Sequence, residues 1–389
     1  MKLSKRITTL TEDESGGWAL YFKARALVEA GESVTELTIG EHDVGTDAAI
    51  LDEMHRAAKA GHTGYAAIPG IPALRDEVAA RVAATTGVPT TGDNVVITAG
   101  GQAALFAAHM AACDPGDRAL FIDPYYATYP GTLRGAGAVP VAVPARAENA
   151  FQPDPKDIAA AAPGAASLLI NTPNNPTGVV YSRATLEGVA EAAQTHDFWV
   201  ISDEVYDTQI WEGEHLSMRA LPGMADRTLV VGSMSKSHAM TGSRIGWIIG
   251  PDEAVRHLIN LSTHTTYGVA GYIQKAALFA LRRGIDFETG IAEPFRRRRE
   301  IALKILEGQN VVRAVPPQGA MYLMLDIRTT GLSGTAFAEK LLDQRRIAVM
   351  PGESFGRAAA GHVRVATTIA DDAFAAALEE LVQFAAAQI

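Results

Sequence analysis

Lys236 stands in the run Ser233-Met234-Ser235-Lys236-Ser237-His238-Ala239-Met240-Thr241-Gly242-Ser243-Arg244, which gathers an amine, several hydroxyls and a guanidinium in one short stretch. An amine condenses with a carbonyl to a Schiff base. A serine hydroxyl and an arginine fork hold a phosphate dianion, and a glycine lets the chain turn between them. The combination suits a phosphorylated aldehyde, with Ser233 and Arg244 as phosphate partners. Composition alone would place a lysine flanked by serines in a solvated loop, so the reading depends on what the rest of the chain brings beside it.

Other residues of this kind follow short apolar runs. After 95–98 comes Gly100-Gly101, which offers bare backbone N–H groups and the positive end of a helix to a phosphate, although a plain tight turn also uses a glycine pair. After 168–171 comes Thr172-Pro173-Asn174-Asn175-Pro176-Thr177-Gly178, where two prolines fix the path and the Asn175 amide can meet an oxyanion. The run 199–202 delivers Asp203 at its end and Tyr206 three residues later. A carboxylate leaving an apolar strand calls for a cationic partner. Lys236 itself follows the run 229–232.

The elements that must position these residues are legible in the same pattern. Short Val- and Ile-rich runs at 95–98, 119–122, 139–143, 168–171, 199–203, 229–232 and 245–249 alternate with segments of helical period, such as 102–112 and 182–196. This alternation predicts an α/β fold whose large domain holds a mostly parallel, seven-stranded, doubly wound sheet covered by helices. In such sheets ligands bind beyond the carboxyl ends of the strands, where the candidate residues lie. After the helical stretch 271–282 comes a long charged helix near 287–307, then short runs at 311–315, 320–325, 347–350 and 363–366 and a closing helix at 371–386. These predict a smaller α/β domain joined by the N-terminal segment and its run 36–39. The expected division is 42–282 for the large domain, and 1–41 with 283–389 for the small one.

Bulk properties narrow the function classes. The 389 residues are 48% hydrophobic and 20% charged, with no apolar stretch of about 18 residues to span a bilayer. The polar start, Met1 to Gly17, lacks a secretory core, so a cytoplasmic location is the default. Cys113 is the sole cysteine, which excludes an intrachain disulfide and a thiolate zinc cluster and predicts a small buried core residue. The net charge of -10 argues against a nucleic-acid binder. The basic run Arg296 to Arg299 falls within the long helix, where successive residues point around the axis, so it predicts a solvated or ion-paired surface. The ten histidines show no metal-ligand spacing, and no metal is expected.

With its motifs in order, the chain resembles the class I/II aminotransferases of the fold type I pyridoxal-phosphate enzymes. The likeness runs from Leu37-Thr38-Ile39-Gly40-Glu41 through Tyr65 to Arg364, and includes Asn174-Asn175-Pro176-Thr177-Gly178, Ser202-Asp203-Glu204-Val205-Tyr206 and Ser233-Met234-Ser235-Lys236. It implies pyridoxal 5'-phosphate as cofactor, bound as a Schiff base on Lys236, which then serves as general base. Asp203 is the implied partner of the pyridine nitrogen, Asn175 and Tyr206 of the ring's O3', and Tyr126, rather than Tyr125, stacks on the ring. The phosphate falls to the backbone at Gly101 and Gln102 and to Ser233, Ser235 and Arg244. Tyr65 reaches the neighbouring site of a homodimer, unless it is a core tyrosine before a turn. Arg364, with Gly40 and Asn175, grips the substrate's α-carboxylate.

The resemblance further implies that an amino group moves from an L-amino acid to a 2-oxo acid by a ping-pong route, with no nucleic acid or membrane as partner. A β-lyase on the same scaffold is the alternative. A ligand-sensing regulator is a remote one, since little sequence precedes Gly40 to read DNA. The family's Gly-Glu-Pro-Asp element reads Gly40-Glu41-His42-Asp43 here, so His42 either shapes the pocket or is a solvated loop residue. At position 102, where some relatives that select dicarboxylates carry a cation, the neutral Gln102 points to a neutral or aromatic donor.

Overall fold

The computed structural model describes residues 1–11 and 18–389. Residues 12–17, within the polar stretch Met1 to Gly17, lie outside the described residues. Seven strands form the central sheet in the spatial order Val95–Thr98, Gly246–Ile249, Thr228–Ser233, Trp199–Asp203, Ala165–Asn171, Arg118–Asp123 and Val139–Pro144. Every pairing is parallel except the two made by Gly246–Ile249, which runs antiparallel to both neighbours. A strand buried on both faces reads as a continuous apolar run whichever way it points, so its direction was not visible in the pattern.

The helices that cover the sheet begin where local chemistry caps them. Gly101–Ala112 opens after Gly100, whose φ of 82° places it in the left-handed region that favours glycine. Arg183–His196 is capped by Ser182, whose hydroxyl accepts from the Thr185 N–H at 3.1 Å. The buried side chains of these helices and of the strands form three large clusters, one of which takes in Met324, Met350 and Phe355 from the C-terminal part.

A four-stranded antiparallel sheet follows, in the order Met350–Pro351, His362–Ala366, Tyr322–Asp326, Arg313–Ala314. Thr35–Glu36 pairs parallel with Ile347–Ala348 beside it. A further cluster, built from Leu20, Leu37, Leu323, Phe337, Phe374 and their neighbours, packs this part. Three of these strands are shorter than the apolar runs suggest. The expected 36–39 ends at Glu36 because Thr38 and Ile39 leave the sheet, their carbonyls accepting from Arg364 and Thr368. The expected 311–315 shrinks to two residues because the Gln309 side chain binds Val311 N and Val312 N in a turn. The run 347–350 is divided between two sheets.

The long helix Ile285–Leu306 carries the basic run, and each arginine finds carboxylates: Arg296 pairs with Glu293 and Glu300, Arg297 with Asp371, Arg298 with Asp43 and Asp371, and Arg299 with Glu212. Cys113 is buried against Ser167, and burial pushes its thiol above the ordinary value. Among the described residues, no helix is long and apolar enough to cross a membrane.

Candidate active site

Lys236 lies on a four-residue helix, Met234–Ser237, directly behind the strand Thr228–Ser233. Ser233 caps that helix by accepting from the Ser235 N–H at 3.1 Å, and its hydroxyl also reaches Ser235 Oγ at 3.0 Å. The Lys236 carbonyl accepts from Gln209 Nε2, while its ammonium donates to the carbonyl of Gly40, far away in sequence. Gly40 has no alternative at its position, because a Cβ there would stand 1.8 Å from the Tyr322 hydroxyl.

The cavity beside Lys236 measures about 250 Å³. It is lined by Gly40, Gly101, Gln102, Tyr126, Asn175, Asp203, Tyr206, Ser233, Ser235, Lys236, Arg244 and Arg364, all the predicted site residues except Tyr65. At one wall Arg244, itself exposed and with φ 49°, donates to the Thr241 carbonyl at 2.8 Å and lies over Gly100. A Cβ on Gly100 would meet that guanidinium at 2.7 Å. The N-terminal N–H groups of Gly101–Ala112, the two serine hydroxyls and this fork together make a cradle with the chemistry a phosphate requires.

Asp203 ends the strand Trp199–Asp203 and is buried. One carboxylate oxygen accepts from the Tyr129 hydroxyl at 2.7 Å and the other from the Val205 N–H at 3.3 Å. Its position is fixed from behind as well, since Asn171 Nδ2 donates to its backbone carbonyl and Asn171 Oδ1 accepts from the Asn175 N–H. No cation of the described residues offsets its charge, and burial pushes its carboxyl up to about 6. A protonated pyridine nitrogen would supply the missing charge.

Arg364 is the converse case. It projects from the middle of His362–Ala366, is 1% exposed, and has its guanidinium between the rings of Tyr322 and Phe355, 4.5 and 4.4 Å from their centroids. Tyr322 lies diagonally across the strand pair in which Arg364 opposes Met324. Arg364 donates to Asn175 Oδ1 at 2.9 Å and to the Thr38 carbonyl, while its Nε has no partner. Burial lowers its pKa, and among the described residues no carboxylate pairs with it. A buried guanidinium with a free donor is completed by an incoming carboxylate.

Asn175 is held at this junction by a rigid turn in which Asn174 Oδ1 accepts from Thr177 N and Oγ1. Tyr206 is buried with its hydroxyl 2.9 Å from that of Tyr322. Tyr126 faces the cavity, whereas Tyr125 turns to Phe121, with ring centroids 5.0 Å apart. Gln102 lines the cavity, but both ends of its amide are occupied: Nε2 donates to Thr132 Oγ1 at 2.8 Å and Oε1 accepts from Thr128 Oγ1 at 3.0 Å.

At two residues an alternative falls. His42 is not a solvated loop residue. It is buried edge-on against Phe295, ring centroids 5.1 Å apart, and burial together with the Lys236 charge holds its imidazole down at about 4, so it is neutral near pH 7. It does not line the cavity. Tyr65 is not a core residue either. It is 93% exposed, in edge contact with the half-exposed Tyr267 at 5.2 Å.

Sequence reasoning missed Tyr129, Tyr322, Trp18 and Ile39, which share the cavity wall. Tyr129 carried a weak signal, its spacing of three from Tyr126 at the start of a helix. Ile39 directly precedes Gly40. Tyr322 and Trp18 gave none, because their roles arise from strand pairing and tertiary packing.

The family model described as aminotransferase class I and II matches residues 32–381. The chain is 40% identical to an arginine–pyruvate transaminase of Pseudomonas aeruginosa over 94% of its own length and 93% of that protein's. It is 36% identical to an aspartate/prephenate aminotransferase of Thermus thermophilus, covering 97% of each. The solved structure of Thermus thermophilus aspartate aminotransferase with maleate superposes with a TM-score of 0.92 at 35% identity, over 99% of this chain and all of that one.

Proposed function

We propose a role for each wall of this cavity on one premise: the chain belongs to the aminotransferase class I and II family, and it is a pyridoxal-phosphate-dependent enzyme that transaminates amino acids. The observation that carries the assignment is a pair of buried charges facing one cavity with Lys236, each without an opposite charge from the described residues: Asp203 and Arg364. Bound pyridoxal 5'-phosphate supplies an aldehyde for the amine and a protonated ring nitrogen toward which electrons at the substrate's α-carbon withdraw.

The remaining work falls to the protein. Lys236 would hold the aldehyde carbon and serve as the base that takes the substrate's α-proton. Asp203, oriented by Tyr129, would keep the ring nitrogen protonated. At an effective dielectric near 20 and a separation of about 4 Å such a pair is worth roughly 4 kcal/mol before desolvation. Tyr126 would cover the ring, Asn175 and Tyr206 would meet O3', and the backbone at Gly101 and Gln102 would take the phosphate with Ser233, Ser235 and Arg244. Arg364, set by Asn175 and Thr38, grips the α-carboxylate beside Gly40, and so presents the α-hydrogen to Lys236.

The lining residues divide along the chain. Those assigned to the cofactor lie in 42–282, while Trp18, Ile39, Gly40, Tyr322 and Arg364 come from 1–41 and 283–389. This supports a large cofactor-holding domain and a small substrate-gripping one with those bounds. Mixing the loaded enzyme with an amino acid should convert the cofactor to its amine form with release of one equivalent of 2-oxo acid, and a 2-oxo acid should reverse the spectral change, as a ping-pong route requires. Regeneration of the aldehyde form with release of ammonia would contradict this reading and point to a β-lyase.

We also place the enzyme in the cytoplasm as a homodimer with shared sites. An aromatic pair standing in water, Tyr65 and Tyr267, is the kind of surface an interface covers. Beside the active site runs a mainly apolar groove of about 500 Å³, lined by Phe106, Leu258, Leu261 and Thr265 and sharing Gln102 and Arg244 with the first cavity. Sedimentation should show a dimer at assay concentrations, and Tyr65→Ala should weaken cofactor retention. A fully active monomer would contradict the shared site.

A further inference from the structure

We infer that the cavity selects amino acids with an uncharged apolar or aromatic side chain, and that Trp18 sets this preference. The inference rests on the roles proposed above and extends them to the part of the substrate that those roles leave free. Among the described residues, four charged side chains line the cavity: Asp203, Lys236, Arg244 and Arg364. Each already has a task, at the ring nitrogen, the aldehyde, the phosphate and the α-carboxylate. Among the described residues of one chain, no lining charge remains for the substrate's own side chain.

Two polar residues of the lining, Gln102 and Thr241, are engaged by the protein itself. Both ends of the Gln102 amide are held by Thr128 and Thr132, and Thr241 Oγ1 donates to Glu41 at 2.8 Å. The wall next to the carboxylate grip is apolar. Ile39 follows Thr38, whose carbonyl accepts from Arg364, and precedes Gly40, whose carbonyl accepts from Lys236. Ile39, which lines the cavity, is thus placed between the two residues that contact Arg364 and Lys236. Trp18 shares this wall and packs against the hydrophobic cluster that contains Phe355, the ring stacked on Arg364. Both Ile39 and Trp18 are only partly covered by the protein, so both have surface to offer a ligand.

An apolar or aromatic side chain gains by covering Trp18 and Ile39, and an indole face is a large contact surface held at little entropic cost. A second carboxylate or a guanidinium laid there loses water and meets no opposite charge. The side chain thus discriminates by desolvation as much as by contact.

The test compares half-reaction efficiencies for phenylalanine, leucine, aspartate, glutamate and arginine. It adds calorimetric binding of three carboxylates that lack the α-amine: 3-phenylpropionate, succinate and 4-guanidinobutyrate. Phenylalanine or leucine should exceed aspartate, glutamate and arginine at least tenfold, and 3-phenylpropionate should bind at least tenfold more tightly than the other two. Trp18→Ala should lower the phenylalanine-to-alanine ratio of efficiencies about tenfold, with Trp18→Phe restoring most of it. A preference for aspartate, glutamate or arginine, or tighter binding of succinate or 4-guanidinobutyrate, would overturn this inference and leave the transaminase reading standing. Failure of every amino acid to convert the cofactor would overturn both.

Discussion

Lys236→Ala is expected to lower amino-group transfer at least about a thousandfold, because the substitution removes both the condensing amine and the base that moves the proton. The protein should still fold. Among the described residues the Nζ of Lys236 donates to the Gly40 carbonyl alone, and the short helix that carries it is held by the Ser233 cap and by Gln209, neither of which needs the amine. The phosphate partners Ser233, Ser235 and Arg244 are untouched, so the variant should take up pyridoxal 5'-phosphate but release it on gel filtration in denaturant. Single-turnover rates within tenfold of the parent would remove Lys236 from its role.

Asp203→Asn should have two effects of opposite sign. An amide cannot sustain a protonated ring nitrogen. Losing even half of a pair worth roughly 4 kcal/mol slows α-proton removal by about thirtyfold or more. In the cofactor-free protein the same substitution should stabilise. The folded carboxyl titrates near 6 against an ordinary 3.8, so on raising the pH the unfolded chain gives up its proton first and ionising the folded group costs stability. That cost starts as the pH passes about 4 and is complete above about 6, where it amounts to about 3 kcal/mol. Asparagine avoids it. The cofactor-free variant should therefore melt above the parent at pH 7.5, with the gap closing toward pH 4. Equal melting temperatures at pH 7.5, or a catalytic rate within twofold, would contradict the assignment of an uncompensated buried charge to Asp203.

The opposition between these effects follows from how the site is built. Asp203 and Arg364 are each expensive to bury and each lacks an opposite charge from the described residues; under the proposed roles a cation in the ring would meet the first and an anion on the substrate the second. Much of this was legible in the chain. A carboxylate at the end of an apolar run, an arginine within another, and a lysine among serines behind a third are all costly placements, and cost at a strand end points to a ligand. The strands themselves were legible because a doubly covered sheet needs uninterrupted apolar runs.

What escaped the sequence depends on contacts between distant segments. Nothing local reveals that Gly246–Ile249 runs against its neighbours, or that Tyr322 packs on Arg364 from across a strand pair. His42 reads as a loop residue until Phe295, on the long helix, is brought over its ring. Tyr65 reads as core or surface alike, and only its exposure in the fold removes the core reading. Trp18 is the most consequential omission, since it becomes part of the pocket wall only once it packs against the hydrophobic cluster that contains Phe355.

The central claim is that Lys236 holds the cofactor. Borohydride reduction of the loaded enzyme fixes a Schiff base as a stable secondary amine, and peptide mapping then locates it. One modified peptide is expected, the one containing Met234-Ser235-Lys236-Ser237, and no fixed cofactor in Lys236→Ala. A label on any other lysine, or stoichiometric labelling of the alanine variant, would contradict it.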